Sequence, residues 1–454
     1  MNIRRTVANG RPRATRLSFS TAFVGASAIL LSACAPGGTA ASSSSGPIST
    51  AAPIEETTLT VAVPANPTLQ ALFDEFESQY PTVTVTAQES DFSTLQQNLP
   101  RLMASDDAPD LVRLASVGNN AKNGLLTNLD PYSDAYGWDA YPSEIMNMMS
   151  VADDGVTRGT GSLYLMMGSG WNVVGVYYNL SVAEGLGISG PPQTLAEFES
   201  MLATARDAGV TAIGQPSVAL NYVYDTLTYN LAADAGELDA VKEWQYRVEG
   251  ARFDQPATRE AAQKMQHWQQ EGFFPADYLS LTEEDAADML NDGRSLFYIT
   301  GDWNSGAFDE SMGENAGFFF LPPVTNGGAY GTDASAQTWG IPSNGDNPDL
   351  AAFFLNWVNT DPKAREITVK LAGNAPGGAA DDEIPAAGPV TTQTLAAGVV
   401  ATEADALVDF FANTTAGIQA TTFVPQLELL ASGKITAQEF VDKVQADYES
   451  ELNR

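Results

Sequence analysis

Few residues in this sequence could carry out covalent chemistry. The 454-residue chain has one Cys, Cys34, and one His, His267, which excludes an internal disulfide and an ordinary zinc site. A catalytic triad with a His base would depend on His267 alone. The chain also has seven Trp residues, and indole rings beside polar groups can hold a ligand without reacting with it. These residue types favour binding over catalysis.

The Trp residues fall into two groups by their neighbours. Three lie within helical stretches that have apolar residues at helical spacing, and we expect them in the core: Trp244, Trp268 and Trp357. Three others lie among Gly and small polar residues at strand or loop junctions, where a docked ligand would explain them: Trp171, Trp303 and Trp339. Loop or core packing is the alternative for these three. Trp138 fits neither group.

The chain is strongly acidic. It has 22 Lys and Arg against 56 Asp and Glu, a formal net charge of −34. This balance excludes nucleic-acid binding, which needs a basic surface. It also disfavours a polyanionic ligand, unless local residues such as Arg113 or Arg158 intervene. Runs of acids such as 153–154 and 283–285 are predicted to be solvated surface, since so many carboxylates bring some together by chance.

The first 33 residues have the pattern of a secretory signal. Five Arg residues and no acid precede an apolar stretch from Leu17 to Leu31, and small residues follow. That stretch is short for a helix that spans a bilayer, which needs about 20 apolar residues. The ending Leu31-Ser32-Ala33-Cys34 resembles a bacterial lipobox, which implies lipidation of Cys34. An ordinary signal peptide followed by a chance Cys is the alternative.

Residues 34–57 are rich in Gly, Ser, Ala and Pro, which is typical of a flexible linker. A lipid at Cys34 and a linker behind it would hold a globular body at the outer face of a cell membrane. The body itself would need no membrane contact.

The rest of the chain is predicted to be α/β. Leu59, Val61 and Val63 alternate as in a strand, a helix begins at Pro67, and a second strand lies at 83–87. Strand, helix and strand within about 30 residues predict a parallel pair. The pattern continues with further strands at 110–114, 173–178 and 210–213 and helices beginning at Thr194, Asn347 and Thr436. Two α/β lobes are the expected arrangement.

These elements resemble a known family when they are taken in order. The stretch 59–129 (with FDEFESQYP, VTVTA, APDLVRL and NGLLTNLDPY) is similar to the first half-lobe of bacterial extracellular solute-binding proteins of the maltose-binding-like group. The similarity continues through VGVYYNLSVAEGLGISGPPQTLAEFESML, GRSLFYITGDW, GFFFLPP and WGIPSNGDNPDLAAFFLNWV. The ordered series covers most of residues 58–454. Met166-Met167 departs from the family, which has a Pro before the first crossing between lobes.

The resemblance implies a two-lobe, periplasmic-binding-protein-like α/β fold with a ligand cleft between the lobes. The first lobe would comprise 58–167 and 325–373, and the second 168–324 and 374–454. The resemblance places ligand contacts in loops after strands and near the crossings, and the Trp analysis adds indoles. The predicted ligand-binding residues are Asn66, Glu89, Ser116, Asn119, Trp171, Tyr222, Asp302, Trp303, Trp339 and Asn374. Tyr222 and Tyr224 would follow a strand, with one ring lining the cleft and the other packing inward.

The resemblance also implies what such a protein does. It would capture a mono- or oligosaccharide and deliver it to the permease subunits of an ABC transporter, as a monomer without cofactor, metal or enzymatic activity. Three alternatives stay open: a surface-anchored glycosidase, a binding protein for a non-sugar solute such as a polyamine, and an adhesin or scaffold that binds a protein partner. The sequence shows no nucleophile-elbow or nucleotide-binding motif in the body.

Overall fold

The computed structural model describes residues 48–452, apart from residues 118, 380, 381 and 416 and the side chain of residue 93. The predicted signal 1–33 and the lipidation site Cys34 lie outside this range. The last residues of the predicted linker lie within it and contact the folded body: Pro53 accepts a hydrogen bond from the Thr82 hydroxyl at 2.8 Å, and Ile48 packs against the core.

Strands from both ends of the described chain form the central sheet. In chain order the strands are β1 (Thr57–Val63), β2 (Val83–Glu89), β3 (Leu111–Arg113), β4 (Ser150–Val151), β5 (Ser162–Leu163), β6 (Leu165–Asn179), β7 (Thr211–Ile213), β8 (Ser295–Gly301), β9 (Ala316–Phe319), β10 (Thr332–Gly340) and β11 (Leu407–Asp409). The order across the sheet is β2-β1-β3-β10-β6-β8-β7, with β11 paired to β10 and β9 paired to β6. β4 and β5 form a separate hairpin.

Helices cover the sheet. In chain order they are α1 (Pro67–Gln79), α2 (Phe92–Met103), α3 (Asp130–Tyr136), α4 (Ser143–Met148), α5 (Leu180–Gly185), α6 (Leu195–Asp207), α7 (Leu220–Ala235), α8 (Leu238–Gln245), α9 (Pro256–Gln270), α10 (Glu283–Asn291), α11 (Ser305–Ser311), α12 (Pro348–Thr360), α13 (Pro362–Ile367), α14 (Pro389–Glu403), α15 (Val424–Ala431) and α16 (Ala437–Leu452). Short 3₁₀ and π turns join several of them.

The first βαβ unit forms as its sequence predicts. β1 and β2 pair in parallel, and β1 also pairs in parallel with β3. The apolar stripe of α1 is buried, and Pro67 occupies its first turn, where a missing N–H costs nothing. Asn66 caps this helix, because its Oδ1 accepts hydrogen bonds from the backbone N–H groups of Thr68 and Leu69.

One long strand connects the two halves of the sheet. β6 has 15 residues, all of them buried, and at about 3.3 Å per residue it runs roughly 50 Å. Residues 165–173 pair with β10, whereas residues 174–178 pair with β8. β10 also joins both halves, since Trp339 and Gly340 pair with β3 while residues 332–334 pair with β11. A third segment runs beside them, with the Trp171 N–H donating to the Ala375 carbonyl at 2.9 Å.

Two hydrophobic cores flank this sheet. The first includes Leu72, Phe76, Trp339 and Phe354, and the second includes Phe198, Tyr224, Trp244 and Trp268. Trp244, Trp268 and Trp357 are all buried, as their helical spacing predicts, and Trp138 is buried as well. The buried residues of α14 pack with the first core, although the sequence analysis assigns 374–454 to the second lobe. The lobe boundaries themselves stay a prediction.

The sequence predicts that Tyr222 and Tyr224 follow a strand–loop junction. The chain does pass from β7 through a loop, and both residues then lie in a 16-residue helix that the sequence patterns do not indicate. Nearly every residue of α7 is buried, including Asn221, Asp225 and Asn230, so the segment lacks the polar face that normally marks a helix.

A buried ion pair links distant parts of the chain. The Arg158 guanidinium contacts the Asp409 carboxylate, and the two side chains are 3% and 2% exposed. Arg158 also donates to the carbonyls of Asn413 and Met148, both at 2.9 Å. The pair therefore fastens the segment after β4 to the end of β11.

We expect Asp409→Asn to lower the free energy of unfolding by about 3–5 kcal/mol, because it leaves the Arg158 charge buried without a counter-charge. Urea unfolding followed by tryptophan fluorescence measures this change. Asp292→Asn is the matched control, since it breaks an exposed pair with Arg294 and should change stability far less. Equal destabilisation by the two variants would contradict the assigned role of the buried pair.

Candidate functional site

A cleft of about 240 Å³ lies where the two halves of the sheet meet. Its walls come from α2, β3 and β10 on one side and from α7, the turn after β8 and the segment after β11 on the other. The residues that line it are Phe92, Arg113, Ala115, Asn172, Asn221, Tyr222, Trp303, Ser335, Gln337, Phe410, Ala412, Asn413 and Gln419. Both halves of the molecule therefore contribute to one cavity above the crossing strands.

Three aromatic rings form one wall of the cleft. The rings of Tyr222 and Trp303 lie 5.5 Å apart between centroids, and Phe410 lies 6.1 Å from Tyr222 and 6.4 Å from Trp303. All three side chains are partly exposed. The Trp303 indole packs against Gly301, where an added Cβ would come within 1.9 Å of a ring carbon. Glycine at this position therefore lets the indole occupy its place in the wall.

Amide side chains form the floor. Asn172 on β6 and Asn221 on α7 are 1% and 3% exposed. The Oδ1 of Asn172 and both amide atoms of Asn221 make no hydrogen bond to the described residues. Buried amides nearly always have partners, so these atoms offer acceptors and a donor to whatever fills the cleft. The Nδ2 of Asn413, by contrast, already has protein partners, since it donates to the Ser335 hydroxyl and to the Asp409 side chain.

Arg113 is the charged residue among the described residues that line the cleft. Its Nη2 donates to Gln337 at 2.7 Å, and its Nη1 donates to the backbone carbonyls of Leu114 and Thr338. The Phe92 ring lies under the guanidinium, with 5.5 Å between Cζ and the ring centroid. Burial lowers the pKa of Arg113 to about 10, so the group keeps its charge at neutral pH.

Two buried carboxyl groups lie one layer below the floor. Asp225 follows Asn221 by one turn of α7, and Asp333 precedes Ser335 by two residues on β10, so each shares a face with a lining residue. Burial raises the pKa of Asp225, which the backbone N–H of Phe411 opposes only in part. Burial and the charge of Asp225 raise the pKa of Asp333. This layer therefore favours protonated carboxyl groups.

The structure brings only two of the predicted site residues into the cleft, Tyr222 and Trp303. Tyr224 packs inward, as expected for one ring of the Tyr222/Tyr224 pair. Asp302 lies next to Trp303 but is buried, and its carboxylate accepts a hydrogen bond from the Val173 N–H at 3.2 Å. Burial raises the pKa of Asp302, and its side chain is not among those that line the cleft.

The other predicted residues lie elsewhere. Trp339 is fully buried in the first core, against Phe73 and Phe354, and it does not line the cleft. Trp171 lines a separate cavity of about 160 Å³, together with Leu395 and Val399. The remaining predicted residues do not line the cleft: Asn66 caps α1, Glu89 is exposed at the end of β2, Ser116 and Asn119 lie in the loop after β3, and Asn374 donates to the Ser169 carbonyl.

Sequence reasoning missed the polar residues of the crossing strands. Trp171 and Asn172 are adjacent on β6, and adjacent residues of a strand point to opposite faces. The Gly-rich surroundings favour the indole as a ligand contact, whereas the amide beside it lines the cleft. Arg113 and Phe92 also line it. Arg113 ends β3 and Phe92 begins α2 after β2, so both lie near the strand ends where the sequence predicts other ligand contacts.

Two further properties concern the part of the chain that the structure describes. Within it, no cluster of three or more His, Cys, Asp or Glu side chains is arranged to hold a metal ion. The helices between residues 48 and 452 include none that combines the length and the apolar composition needed to cross a membrane.

Comparisons with known proteins agree with this architecture. The family model for bacterial extracellular solute-binding proteins matches residues 63–365. Among solved structures, a chitin oligosaccharide binding protein superposes with a TM-score of 0.71 and 18% identity, covering 87% of this chain and 99% of that one. The GacH receptor of Streptomyces glaucescens superposes with a TM-score of 0.70 and 17% identity, covering 87% of this chain and 98% of that one. No curated protein matches the sequence.

A third structure, the solute-binding protein RafE in complex with raffinose, superposes with a TM-score of 0.67 and 18% identity over 87% of this chain and 99% of that one. At such low identity these superpositions establish the fold, and they confirm the two-lobe α/β architecture that the sequence predicts.

The two carboxyl groups below the floor lead to a pH prediction. A native pKa above the ordinary value of 3.8 means that the folded chain holds protons that the unfolded chain has released, so stability falls as pH rises through that interval. Asp225→Asn removes one of these groups. We expect the free energy of unfolding of this variant, relative to the unmutated protein, to increase as pH rises above about 4, by at most about 1.4 kcal/mol per pH unit.

Urea unfolding at several pH values measures this difference. Asp234→Asn is the control, since it removes the same formal charge from an exposed position on the same helix. A pH trend equally steep in both variants would show that the buried site is not its cause.

Proposed function

The chain belongs to the family of bacterial extracellular solute-binding proteins, and we propose that its solute is a carbohydrate bound in the cleft beside Trp303. Binding would involve contacts from both halves of the molecule, and the bound sugar would be delivered to the permease subunits of an ABC transporter. The chain would act as a monomer, without a cofactor and without chemical change to the solute.

One observation carries this proposal: an aromatic wall faces a floor of amides that have no protein partners. Sugar rings present apolar C–H faces, which pack on indole and phenol rings, and hydroxyl groups at their edges, which need hydrogen-bond donors and acceptors. Tyr222, Trp303 and Phe410 supply the first kind of surface. Asn172 and Asn221 supply the second.

The structural neighbours support the same solute class. Their ligands are named as chitin oligosaccharide, acarbose and raffinose. Because similarity at this level shares fold rather than side chains, the support for a sugar in this chain comes mainly from the cleft itself.

The rival functions fit the cleft less well. A glycosidase would usually need two carboxyl groups on either side of the scissile bond, and the described lining residues include none. A polyamine site would need carboxylates at the same surface, whereas the charged residue there is Arg113. An adhesin would have no use for unpartnered amides at the floor of a cleft.

A thermal-shift screen tests the proposal. The secreted chain from residue 35 onward is mixed with a panel of mono-, di- and oligosaccharides, with polyamines and amino acids as controls. A ligand present at 100 times its dissociation constant adds about 2.7 kcal/mol of stability, which is readily seen as a raised melting temperature. Stabilisation by a polyamine or an amino acid alone would replace the sugar with another solute, and stabilisation by none would count against a small-molecule cargo.

Trp303→Ala should weaken binding of the sugar hit by about 1–3 kcal/mol, because it removes the indole from the three-ring aromatic wall. The melting temperature without ligand should change little, since Trp303 is partly exposed. Trp339→Ala is the matched control: this indole is fully buried, so its loss should cost about 3–5 kcal/mol of stability and leave affinity of the folded fraction unchanged. Calorimetric titration and thermal melts separate the two effects, and the reverse pattern would contradict the assignment.

The proposed location is the outer face of the cell membrane, held by a lipid on Cys34. Support comes from the lipobox-like residues 31–34 and from the position of Cys34 as the one Cys of the sequence. We expect Cys34→Ala to move the protein from the membrane fraction to the soluble secreted fraction, measured by fractionation and immunoblotting. Ser32→Thr, a small polar exchange beside the site, is the control and should stay anchored. Retention of Cys34→Ala at the membrane would exclude lipidation at this residue as the anchor.

A further inference from the structure

Arg113 differs from Arg158, the other Arg side chain close to the cleft, in having no acidic partner among the described residues. Arg158, just below the floor, has the Asp409 carboxylate as its partner. Arg113 lines the cavity, yet no carboxylate of the described residues lies within salt-bridge distance of it. In a chain with 56 Asp and Glu and a net charge of −34, a partly buried Arg without an acidic partner needs an explanation.

The guanidinium also has hydrogen-bonding capacity to spare. It has five N–H groups. Nη1 donates to the Leu114 and Thr338 carbonyls and lies 3.5 Å from the Thr338 hydroxyl, while Nη2 donates once, to Gln337. The N–H on Nε and the second N–H on Nη2 make no bond to the described residues. A donor pair of this kind on one guanidinium can bind both oxygens of a carboxylate.

The surroundings leave this charge unopposed. The described residues lining the cleft include no Asp or Glu. Asp225 and Asp333 lie below the floor, and burial raises the pKa of both, which favours their neutral forms. The cavity therefore presents one positive charge to its ligand, although the protein as a whole is strongly negative.

We propose that the carbohydrate bound in the cleft carries a carboxylate, as in an oligosaccharide that contains a uronic acid residue, and that Arg113 binds this carboxylate through Nε and Nη2. This inference rests on the proposed function and narrows its substrate class. The uronate ring would lie between the Phe92 and Arg113 side and the wall formed by Tyr222 and Trp303.

A single carboxylate fits the site better than a phosphate ester does. A phosphate dianion would bring about twice the charge to one guanidinium, with no second cation among the described lining residues. The acidic surface of the chain would add to the repulsion. A uronate brings one negative charge and keeps the C–H face that the aromatic wall recognises.

A purely structural role accounts for only part of the arrangement. Through Nη1 the Arg113 side chain joins the end of β3 to β10, which a structural residue could do. That role leaves Nε and half of Nη2 without acceptors and leaves the charge unpaired. The test must therefore measure selectivity between ligands as well as stability.

The first experiment needs no variant. Calorimetric titration compares a panel of di- to tetrasaccharides, each in three forms: ending in glucose, ending in glucuronate, and ending in the glucuronate methyl ester. A charge-assisted bidentate contact should make the uronate form bind about 10- to 100-fold more tightly than its ester. Equal affinity of the three forms would overturn this inference and leave the carbohydrate function standing. Binding by none of the forms would overturn both.

The second experiment assigns the preference to Arg113. Arg113→Gln should abolish the preference for uronate over ester while retaining weak binding of the neutral form. Arg113→Lys should keep part of the preference for uronate, since Lys retains the charge but lacks the planar pair of N–H donors. Arg294→Gln, at an exposed pair outside the cleft, is the matched control and should keep the full preference. A preference that survives in Arg113→Gln would overturn the assignment, and thermal melts of each variant confirm that the titrated protein is folded.

Discussion

The structure depends on two strands that belong to both halves of the sheet. β6 changes partner from β10 to β8 near residue 173, and β10 pairs with β3 at one end and β11 at the other. Because every residue of β6 is buried, this strand cannot shift its register without exposing or clashing side chains on both faces. The register of β6 and β10 therefore fixes the positions of Asn172 and Ser335 at the cleft floor.

A rigid floor between two walls suits ligand capture. The wall that carries Arg113 and the wall that carries Trp303 touch the same cavity but belong to different cores, apart from the crossing segments. Under the proposed function, a ligand that contacts both walls would bind most tightly when they are close, and it would stabilise a closed arrangement by the difference in its contacts. The unpartnered amides of the floor would contact the ligand in either arrangement, and its contacts with the two walls would determine how far closure is favoured.

The sequence predicted the fold well because local patterns determine most of it. The alternation in β1, the Pro67 start of α1 and the start of the last helix at Thr436 all appear where they are expected, and the Thr436 N–H donates to the Glu439 carboxylate. The site was predicted less well, since it depends on which side of a strand faces the cavity. Trp171 and Asn172 differ by one residue, and only the register of β6 decides between them.

A second reason why the site was harder to predict is that some residues stand out in the sequence and others do not. Indoles in Gly-rich loops attract attention, and Trp339 in AQTWGIP is one, but its ring fills the space above Gly168, where a Cβ would lie 2.2 Å from the ring. Asn221 carries no such signal, because a buried amide in a helix of buried residues is visible only once its partners are counted. Arg113 stood out in the sequence only as a possible exception to the acidic field. Asn221 and Arg113 are identified by hydrogen-bonding groups that have no protein partner, and not by their residue type. Whether such a group has a partner is a property of the folded chain.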